Sequence, residues 1–125
     1  MTALPNYAII NFHASETETQ GGDIMGLKLF VDDTRPQPRG FECVTSYADA
    51  IWYYELFGEF EFVSLDYHLG EEHTGLDILI WMKEHGKRPA HINIHSNHIE
   101  GMKLMRKYAE ENFPDSTVTM NTLYK

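Results

Sequence analysis

The stretch Leu27–Asp33 (LKLFVDD) decides the fold, because it is a short apolar run that ends in two adjacent aspartates. Runs of this kind are typical of strands in a parallel sheet that is buried on both faces. Two further apolar runs also end in polar residues, Phe60–Leu65 (FEFVSL) before Asp66 and Ile92–His95 (INIH) before Ser96. The sequence therefore predicts three strands whose carboxyl ends carry acids, a hydroxyl and histidines.

Predicted helices alternate with these strands along the chain. Side chains that commonly cap helices precede three helical segments: Ser46 opens a helix to about Phe57, Thr74 caps Gly75–His85, and Asn97 caps about His98–Asn112. Two more strands are predicted at Phe41–Thr45 and Thr117–Met120. This alternation predicts an α/β fold with three layers, a mainly parallel sheet with helices on both faces. In such folds the ligand crevice lies beyond the carboxyl ends of the strands.

The connection between the first two strands is too short for a helix. Only Thr34–Gly40 (TRPQPRG) separates Asp33 from Phe41, whereas a parallel crossover normally takes about a dozen residues. We therefore expect no helix between these two strands, which would leave one face of the sheet partly uncovered. Residues 1–24 are expected to help cover it.

The chain divides into an N-terminal arm, residues 1–24, and an α/β domain, residues 25–125. Within the arm, Tyr7–Phe12 (YAIINF) is a candidate extra strand and Ser15–Asp23 is a polar linker with two glycines. One interpretation is a simple extension or an upstream start of the chain. The other is a structural arm that packs on its own domain or on a second copy, which would give a homodimer.

Composition narrows the classes of function. A net charge of −9 argues against non-specific binding to nucleic acid, although it leaves open a small phosphorylated ligand held through a metal. No apolar run approaches membrane-spanning length, and no signal peptide is apparent, so neither a membrane partner nor secretion is expected. With Cys43 as the single cysteine, the expected location is the cytoplasm.

Three aspartates, Asp32, Asp33 and Asp66, are the candidate metal ligands. Carboxylates that converge at strand ends repel each other by roughly 4 kcal/mol at about 4 Å and an effective dielectric near 20. A cation would neutralise them, and oxygen ligands of this kind suit Mg²⁺. The alternative is that an aspartate of the pair caps a turn and that Asp66 is solvated.

Six further side chains at the same strand ends are candidates for phosphate chemistry. Three are histidines that can transfer protons near neutral pH, His68, His95 and His98. Three can bind phosphate oxygens, Arg35, Ser96 and Asn97. The positive end of the helix that begins near His98 would assist. Simpler alternatives are a surface-loop role for His68, a structural role for one of the other histidines, an ion pair for Arg35, and helix capping for Asn97.

Leu27–Ser96 resembles a response-regulator receiver domain in its acidic pair, the aspartate after the third strand and the hydroxyl after the fourth. The resemblance implies a flavodoxin-like, receiver-like fold. It also implies that Asp66 is the phosphoacceptor position, that Asp32 and Asp33 hold Mg²⁺, and that Ser96 contacts the phosphoryl group. The missing first helix departs from that pattern, as does the lack of a clear match to the receiver lysine after the fifth strand.

A closer resemblance, over about residues 27–120, is to the cyclic-phosphate processing receiver-like domains. It is carried by four motifs in order: DDTRP at residues 32–36, LDYHLG at 65–70, TGLD at 74–77 and HSNH at 95–98. The resemblance implies a metal-assisted enzyme or binding protein for a cyclic phosphate, at an RNA end or in a small nucleotide. Two other functions stay open: a phosphoacceptor signalling module that uses Asp66, and a non-catalytic interaction domain that dimerises through its arm.

Overall fold

A computed structural model describes residues 26–36 and 38–122 of the protein. The predicted strand Tyr7–Phe12 and the linker Ser15–Asp23 lie outside these residues. The described strands are β1 (Lys28–Val31), β2 (Glu42–Val44), β3 (Phe62–Leu65), β4 (His91–Ser96) and β5 (Thr117–Thr122). The described helices are α1 (Tyr47–Phe57), α2 (Gly75–Glu84) and α3 (Ile99–Asn112).

The strands form one parallel sheet in the order β2-β1-β3-β4-β5. Every predicted strand from Leu27 onward is present, with bounds that differ by one or two residues at most ends. No helix lies between β1 and β2 in the described part of the chain, as the short connection predicted. The parallel α/β, receiver-like architecture predicted from the sequence is therefore confirmed.

The three helices lie on one face of this sheet. The crossovers β2 to β3, β3 to β4 and β4 to β5 all move in the same direction across the sheet, and right-handed crossovers that share a direction share a face. Within residues 26–36 and 38–122, no helix covers the opposite face. The expected third layer would therefore have to come from outside these residues. None of the described helices is both long enough and apolar enough to cross a membrane.

The hydrophobic core lies between the helices and the face of the sheet that they cover. Alternate strand residues point into it, so Leu29 and Val31 of β1 are fully buried, while Lys28, the first residue of the same strand, is exposed. The rings of Tyr54 in α1 and Trp81 in α2 have centroids 5.6 Å apart and join these helices. The largest fully buried apolar side chains are Tyr54, Phe60, Leu29, Leu65, Ile78, Leu79, Met82, Ile92, Ile94 and Met105.

Two of the three predicted helix caps are present. The amide N–H of Asp49 donates to Oγ of Ser46 over 3.1 Å, and Thr74 forms a reciprocal capping box with Asp77. The prediction for Asn97 was wrong, because the residue that caps α3 is His98.

The imidazole of His98 caps α3 because its ring is held in place beside the helix. It stacks on Tyr67 with a centroid distance of 4.8 Å, and its Nδ1 accepts the amide N–H of Gly101 over 2.8 Å. Asn97 is exposed, and among the described residues no hydrogen bond restrains its amide. The amide of Asn97 is therefore available to a ligand rather than committed to the helix.

Candidate functional site

A cavity of about 330 Å³ lies at the carboxyl ends of the strands. Its lining residues are Asp33, Thr34, Arg35, Asp66, His68, Gly70, Ser96, Asn97 and His98. Seven of the nine predicted site residues are among them, and the other two, Asp32 and His95, are buried. A hollow of similar volume at the opposite ends of the strands has one carboxylate, Glu61, in its described lining and lacks this concentration of acids and imidazoles.

The sheet register brings Asp32, Asp66 and His95 together. Val31, Leu65 and Ile94 are paired across β1, β3 and β4. One step further along these strands places the two aspartates and the histidine side by side. Ligand atoms from these three buried residues all lie within 4.8 Å of one another, so the group could hold a metal ion.

Asp32 is the better compensated of the two buried carboxylates. Its Oδ1 accepts the amide N–H groups of Thr34 and Arg35 over 2.9 and 3.0 Å, and its Oδ2 lies 2.9 Å from Nε2 of His95. Burial alone would raise the pKa of this carboxyl, but the two amides and His95 outweigh burial and lower the pKa below its ordinary value. Asp32 is therefore an ionised carboxylate that also caps the turn after β1.

Asp66 lacks comparable compensation, although its side chain is only 7% exposed. Burial is the largest influence and raises its pKa, and the neighbouring charge of Asp32 adds to the rise. Hydrogen bonds from Ser96 and from the amide of Tyr67, together with the charge of Arg35, offset this only in part. The site is short of positive charge at the carboxylate that lines the cavity, and a bound cation would relieve this.

Arg35 is a cation within reach of both acids in the described part of the chain. Its Nη1 lies 3.6 Å from Oδ2 of Asp32 and 4.0 Å from Oδ2 of Asp66, and its side chain is 25% exposed. One guanidinium therefore serves two carboxylates while it also faces the cavity. This arrangement matches the ion-pair alternative from the sequence, and it places the same group where it can meet an anionic ligand.

Asp33 lies at the mouth of the cavity, against Gly70. Gly70 has a φ of +73°, and a Cβ at this position would lie 2.6 Å from Oδ2 of Asp33. A side chain at residue 70 would therefore strain the turn and displace the carboxylate. The glycine of the LDYHLG motif thus gives Asp33 its place beside the loop that follows β3.

The three candidate histidines differ in the partners of their ring nitrogens. His95 is 1% exposed, with Nδ1 2.7 Å from Oγ of Ser64 and Nε2 directed at Asp32. His98 uses Nδ1 to cap α3, so the proton of its neutral ring is on Nε2. His68 is exposed, contacts the rings of Tyr67 and His98 edge-on, and has no hydrogen bond from its ring to any described residue. Only His68 and His98 line the cavity.

Sequence reasoning missed Ser64, Asn93 and Tyr67. Ser64 and Asn93 are paired residues of β3 and β4 that extend the hydrogen bonding behind His95, and Tyr67 supports the ring of His98. A signal was available for the first two. Asn93 lies two residues before His95 and Ser64 lies two residues before Asp66, so the period of two places each on the same face of its strand as a predicted site residue.

The cyclic-phosphate processing receiver domain is the family whose model matches this chain, over residues 27–111. Neither the curated proteins nor the solved structures contain a significant match. The matched span includes β1 to β4 and the three described helices, apart from the last residue of α3. It also includes every described residue that lines the cavity, together with Asp32, Asp66 and His95. On this fold, this site and this match, the chain belongs to the cyclic-phosphate processing receiver domains.

Proposed function

We propose that this domain binds a cyclic phosphate ester together with a divalent cation and hydrolyses it to the open phosphate monoester. One observation carries the proposal: Asp32 and Asp66 are buried, share the single guanidinium of Arg35, and lie beside a cavity that also has two imidazoles in its lining. A purely structural acid pair would have no need of a cavity with these proton-transfer groups.

The carboxylates are the groups that would hold the cation. Asp66 and Asp33 line the cavity, and buried Asp32 has a carboxylate oxygen within 4.8 Å of one of Asp66. These hard oxygen atoms suit Mg²⁺, which when bound would neutralise charge on the phosphate oxygens. The excess negative charge at Asp66 favours a cation in the same place.

Three further groups would bind the phosphate. Arg35 offers N–H donors of its guanidinium, His98 offers Nε2–H, and Asn97 offers an amide that no described residue holds. Oγ of Ser96 and Nδ1 of His98 already accept two amide N–H groups around the start of α3. The helix end therefore contributes mainly through the direction of its dipole.

His68 is the residue we assign to proton transfer. In the proposed reaction an oxygen of water forms a bond to phosphorus, and one P–O bond of the ring breaks. His68 takes the proton from the attacking water and returns it to the departing ester oxygen. His98 is less suited to this task, because a second ring proton on Nδ1 would displace the amide N–H of Gly101 that caps α3.

The test is an assay of the full chain against 2′,3′-cyclic and 3′,5′-cyclic mononucleotides, with product identified by phosphorus NMR. We expect turnover with Mg²⁺, none with EDTA, and a loss of about 10²-fold or more in kcat for His68→Gln. His85→Gln is the matched control, because His85 is an exposed histidine at the far end of α2. If no cyclic phosphate is turned over, or if His68→Gln and His85→Gln behave alike, the enzymatic proposal fails.

A second candidate function is that of a phosphoacceptor module. The observation in its favour is that Asp66, the receiver phosphoacceptor position, lines the cavity while Asp32 does not. Against it, no lysine is present in the described lining of the cavity. Acetyl phosphate with Mg²⁺ should label Asp66 if the module signals in this way, and Asp66→Asn should abolish the label.

A further inference from the structure

A row of hydrogen bonds crosses the face of the sheet opposite the three described helices and ends at Asp32. Its members, in order, are His91, Thr119, Asn93, Ser64, His95 and Asp32. Ser64, Asn93 and Thr119 are paired at one level of β3, β4 and β5, so their side chains meet on the same face. The bonds between successive members are 2.6 to 3.0 Å long, and the direction of each one can be worked out from its donors and acceptors.

The amide of Asn93 fixes the direction of the row. Its Nδ2 donates one N–H to Oγ of Ser64 over 3.0 Å and the other to Oδ1 of Asn121 over 2.9 Å. Its Oδ1 accepts the hydroxyl hydrogen of Thr119 over 2.6 Å. Ser64 therefore accepts on one side, and its own hydrogen is free to point to the next member of the row, His95.

In this direction, His95 accepts a hydrogen bond from Ser64 and donates one to Asp32. With the Ser64 hydrogen directed at Nδ1, which lies 2.7 Å from Oγ, Nδ1 accepts and the ring proton is on Nε2, which donates to Oδ2 of Asp32 over 2.9 Å. The ring is 1% exposed and stacks on Phe30 with centroids 4.6 Å apart and planes 2° apart. Both ring nitrogens of His95 thus have hydrogen-bond partners, and the stacking on Phe30 fixes the plane of the ring.

Hydrogen bonds that all ran in the opposite direction along the row would create an unfavourable contact at Asp32. It would require the amides of Asn93 and Asn121 both to be turned over, with the proton of His95 on Nδ1. The unprotonated Nε2 would then lie 2.9 Å from a carboxylate oxygen, which places two acceptors in contact. Asp32 also accepts two backbone N–H groups, which is the environment of an ionised carboxylate.

We propose that Ser64 and Asn93 are positioning residues that hold His95 as its Nε2–H tautomer, so that His95 orients Asp32 by donating to it and is not itself a metal ligand. The cation of the proposed function would then be held by oxygen atoms alone. This deepens the proposed function and rests on it only for the presence of a cation. Carboxylate ligands oriented by a hydrogen-bond donor outside the metal shell are a common arrangement in metal sites.

The deciding experiment is ¹⁵N NMR of the histidine ring nitrogens in the full chain at pH 7.5 with EDTA. We expect the His95 signals of a neutral ring with a protonated Nε2 and an unprotonated Nδ1. Detection needs neither substrate nor turnover, so a negative hydrolysis assay would leave this result standing. A protonated Nδ1 on His95 in the unaltered chain would overturn the proposal.

Asn93→Asp tests the source of the tautomer. The new carboxylate can only accept, so Ser64 would turn its hydrogen towards it and could then only accept from His95. We expect Nδ1 of His95 to become protonated at the same pH. Asn112→Asp, the same change at the end of α3, is the control and should leave the His95 signals unmoved. Unchanged His95 signals in a folded Asn93→Asp variant would show that the row does not set the tautomer.

A cation titration distinguishes a side chain at position 95 that donates a hydrogen bond to Asp32 from one that binds the metal directly. His95→Gln keeps an N–H that can reach Asp32, whereas His95→Leu keeps bulk without a donor. We expect Mg²⁺ affinity to stay within about threefold of the unaltered chain for His95→Gln and to fall about tenfold for His95→Leu, by isothermal titration calorimetry. Equal losses in the two variants would contradict the assignment, as would Zn²⁺ binding that depends on the imidazole of His95.

Discussion

Nη1 of Arg35 lies 3.6 Å from Oδ2 of Asp32, and the same nitrogen lies 4.0 Å from a carboxylate oxygen of the adjacent strand end. Among the residues that the structure describes, these two buried acids thus share one partly exposed guanidinium. Because one positive charge serves two negative ones, removal of the guanidinium and addition of a divalent cation should have opposite effects on stability.

Arg35→Gln should lower the unfolding temperature in EDTA and increase the stabilisation that Mg²⁺ provides. The substitution leaves the carboxylates of Asp32 and Asp66 without their counter-ion, and a bound ion then has more repulsion to relieve. Thermal unfolding with and without Mg²⁺ measures both effects. Arg106→Gln removes the same charge from an exposed pair with Glu110 and should change the unfolding free energy by less than about 0.5 kcal/mol. Equal behaviour of the two variants would argue against a coupled cation site.

Asp32→Asn and Asp66→Asn should change stability in opposite directions at pH 7 in EDTA. The lowered pKa of Asp32 means that its charged form stabilises the fold above the unfolded pKa, and this contribution is lost as pH falls through the folded pKa. The raised pKa of Asp66 means that its charge costs stability as pH rises above the unfolded value of about 3.8.

Both substitutions remove one negative charge, so each serves as the charge-matched control of the other. We expect Asp32→Asn to cost about 2–3 kcal/mol, the scale of hydrogen bonds to a buried charge, and Asp66→Asn to stabilise the metal-free protein. Chemical unfolding in EDTA gives both values. Destabilisation by Asp66→Asn would mean that Arg35 and Ser96 already compensate its charge.

The stability of the metal-free protein should also fall as pH drops below about 6.5, because of His95. Burial lowers the pKa of this imidazole more than Asp32 raises it, while Arg35 lowers it further. The unfolded chain therefore binds a proton that the folded chain resists, so stability is lost as pH falls from 6.5 towards the folded pKa.

His95→Gln should make the pH dependence between 7.5 and 5.5 shallower, whatever its effect on stability at neutral pH. Free energies of unfolding at a series of pH values, all in EDTA, provide the slope. His85→Gln removes an exposed imidazole and should leave the slope close to that of the unaltered chain. A slope that His95→Gln does not alter would place the acid sensitivity elsewhere.

Periodicity and topology made most of the fold predictable. Apolar runs predicted the strands, and the seven-residue connection after Asp33 predicted the missing helix. The ends of β4 and β5 extend beyond the predicted runs to Ser96 and Thr122, because strand pairing rather than hydrophobicity sets where a ladder ends.

The site was predictable as a set of residues but not as a set of roles. Convergence of Asp32, Asp66 and His95 follows from strand-end positions and the period of two, which a sequence displays. The cap formed by Nδ1 of His98 is accompanied by stacking of its ring on Tyr67, a tertiary contact that no local pattern encodes. The prediction therefore assigned the cap of α3 to Asn97, whereas in the structure His98 caps this helix.

Gly101 is the residue that makes room for this contact, which leads to a further prediction. A Cβ at this position would overlap the base of the Tyr67 ring, which cannot swing away as the end of a flexible chain could. Gly101→Ala would ordinarily favour a helix by up to about 1 kcal/mol, but here we expect a net loss of about 1–3 kcal/mol from the forced shift of Tyr67. Loss of the Tyr67 to His98 stacking contact in NMR spectra, and weaker binding of inorganic phosphate, should accompany it.

Glu100→Ala, at the exposed neighbouring position, should leave all three measurements nearly unchanged. A Gly101→Ala protein that is more stable and keeps the contact would show that the ring of Tyr67 does not restrain the His98 cap.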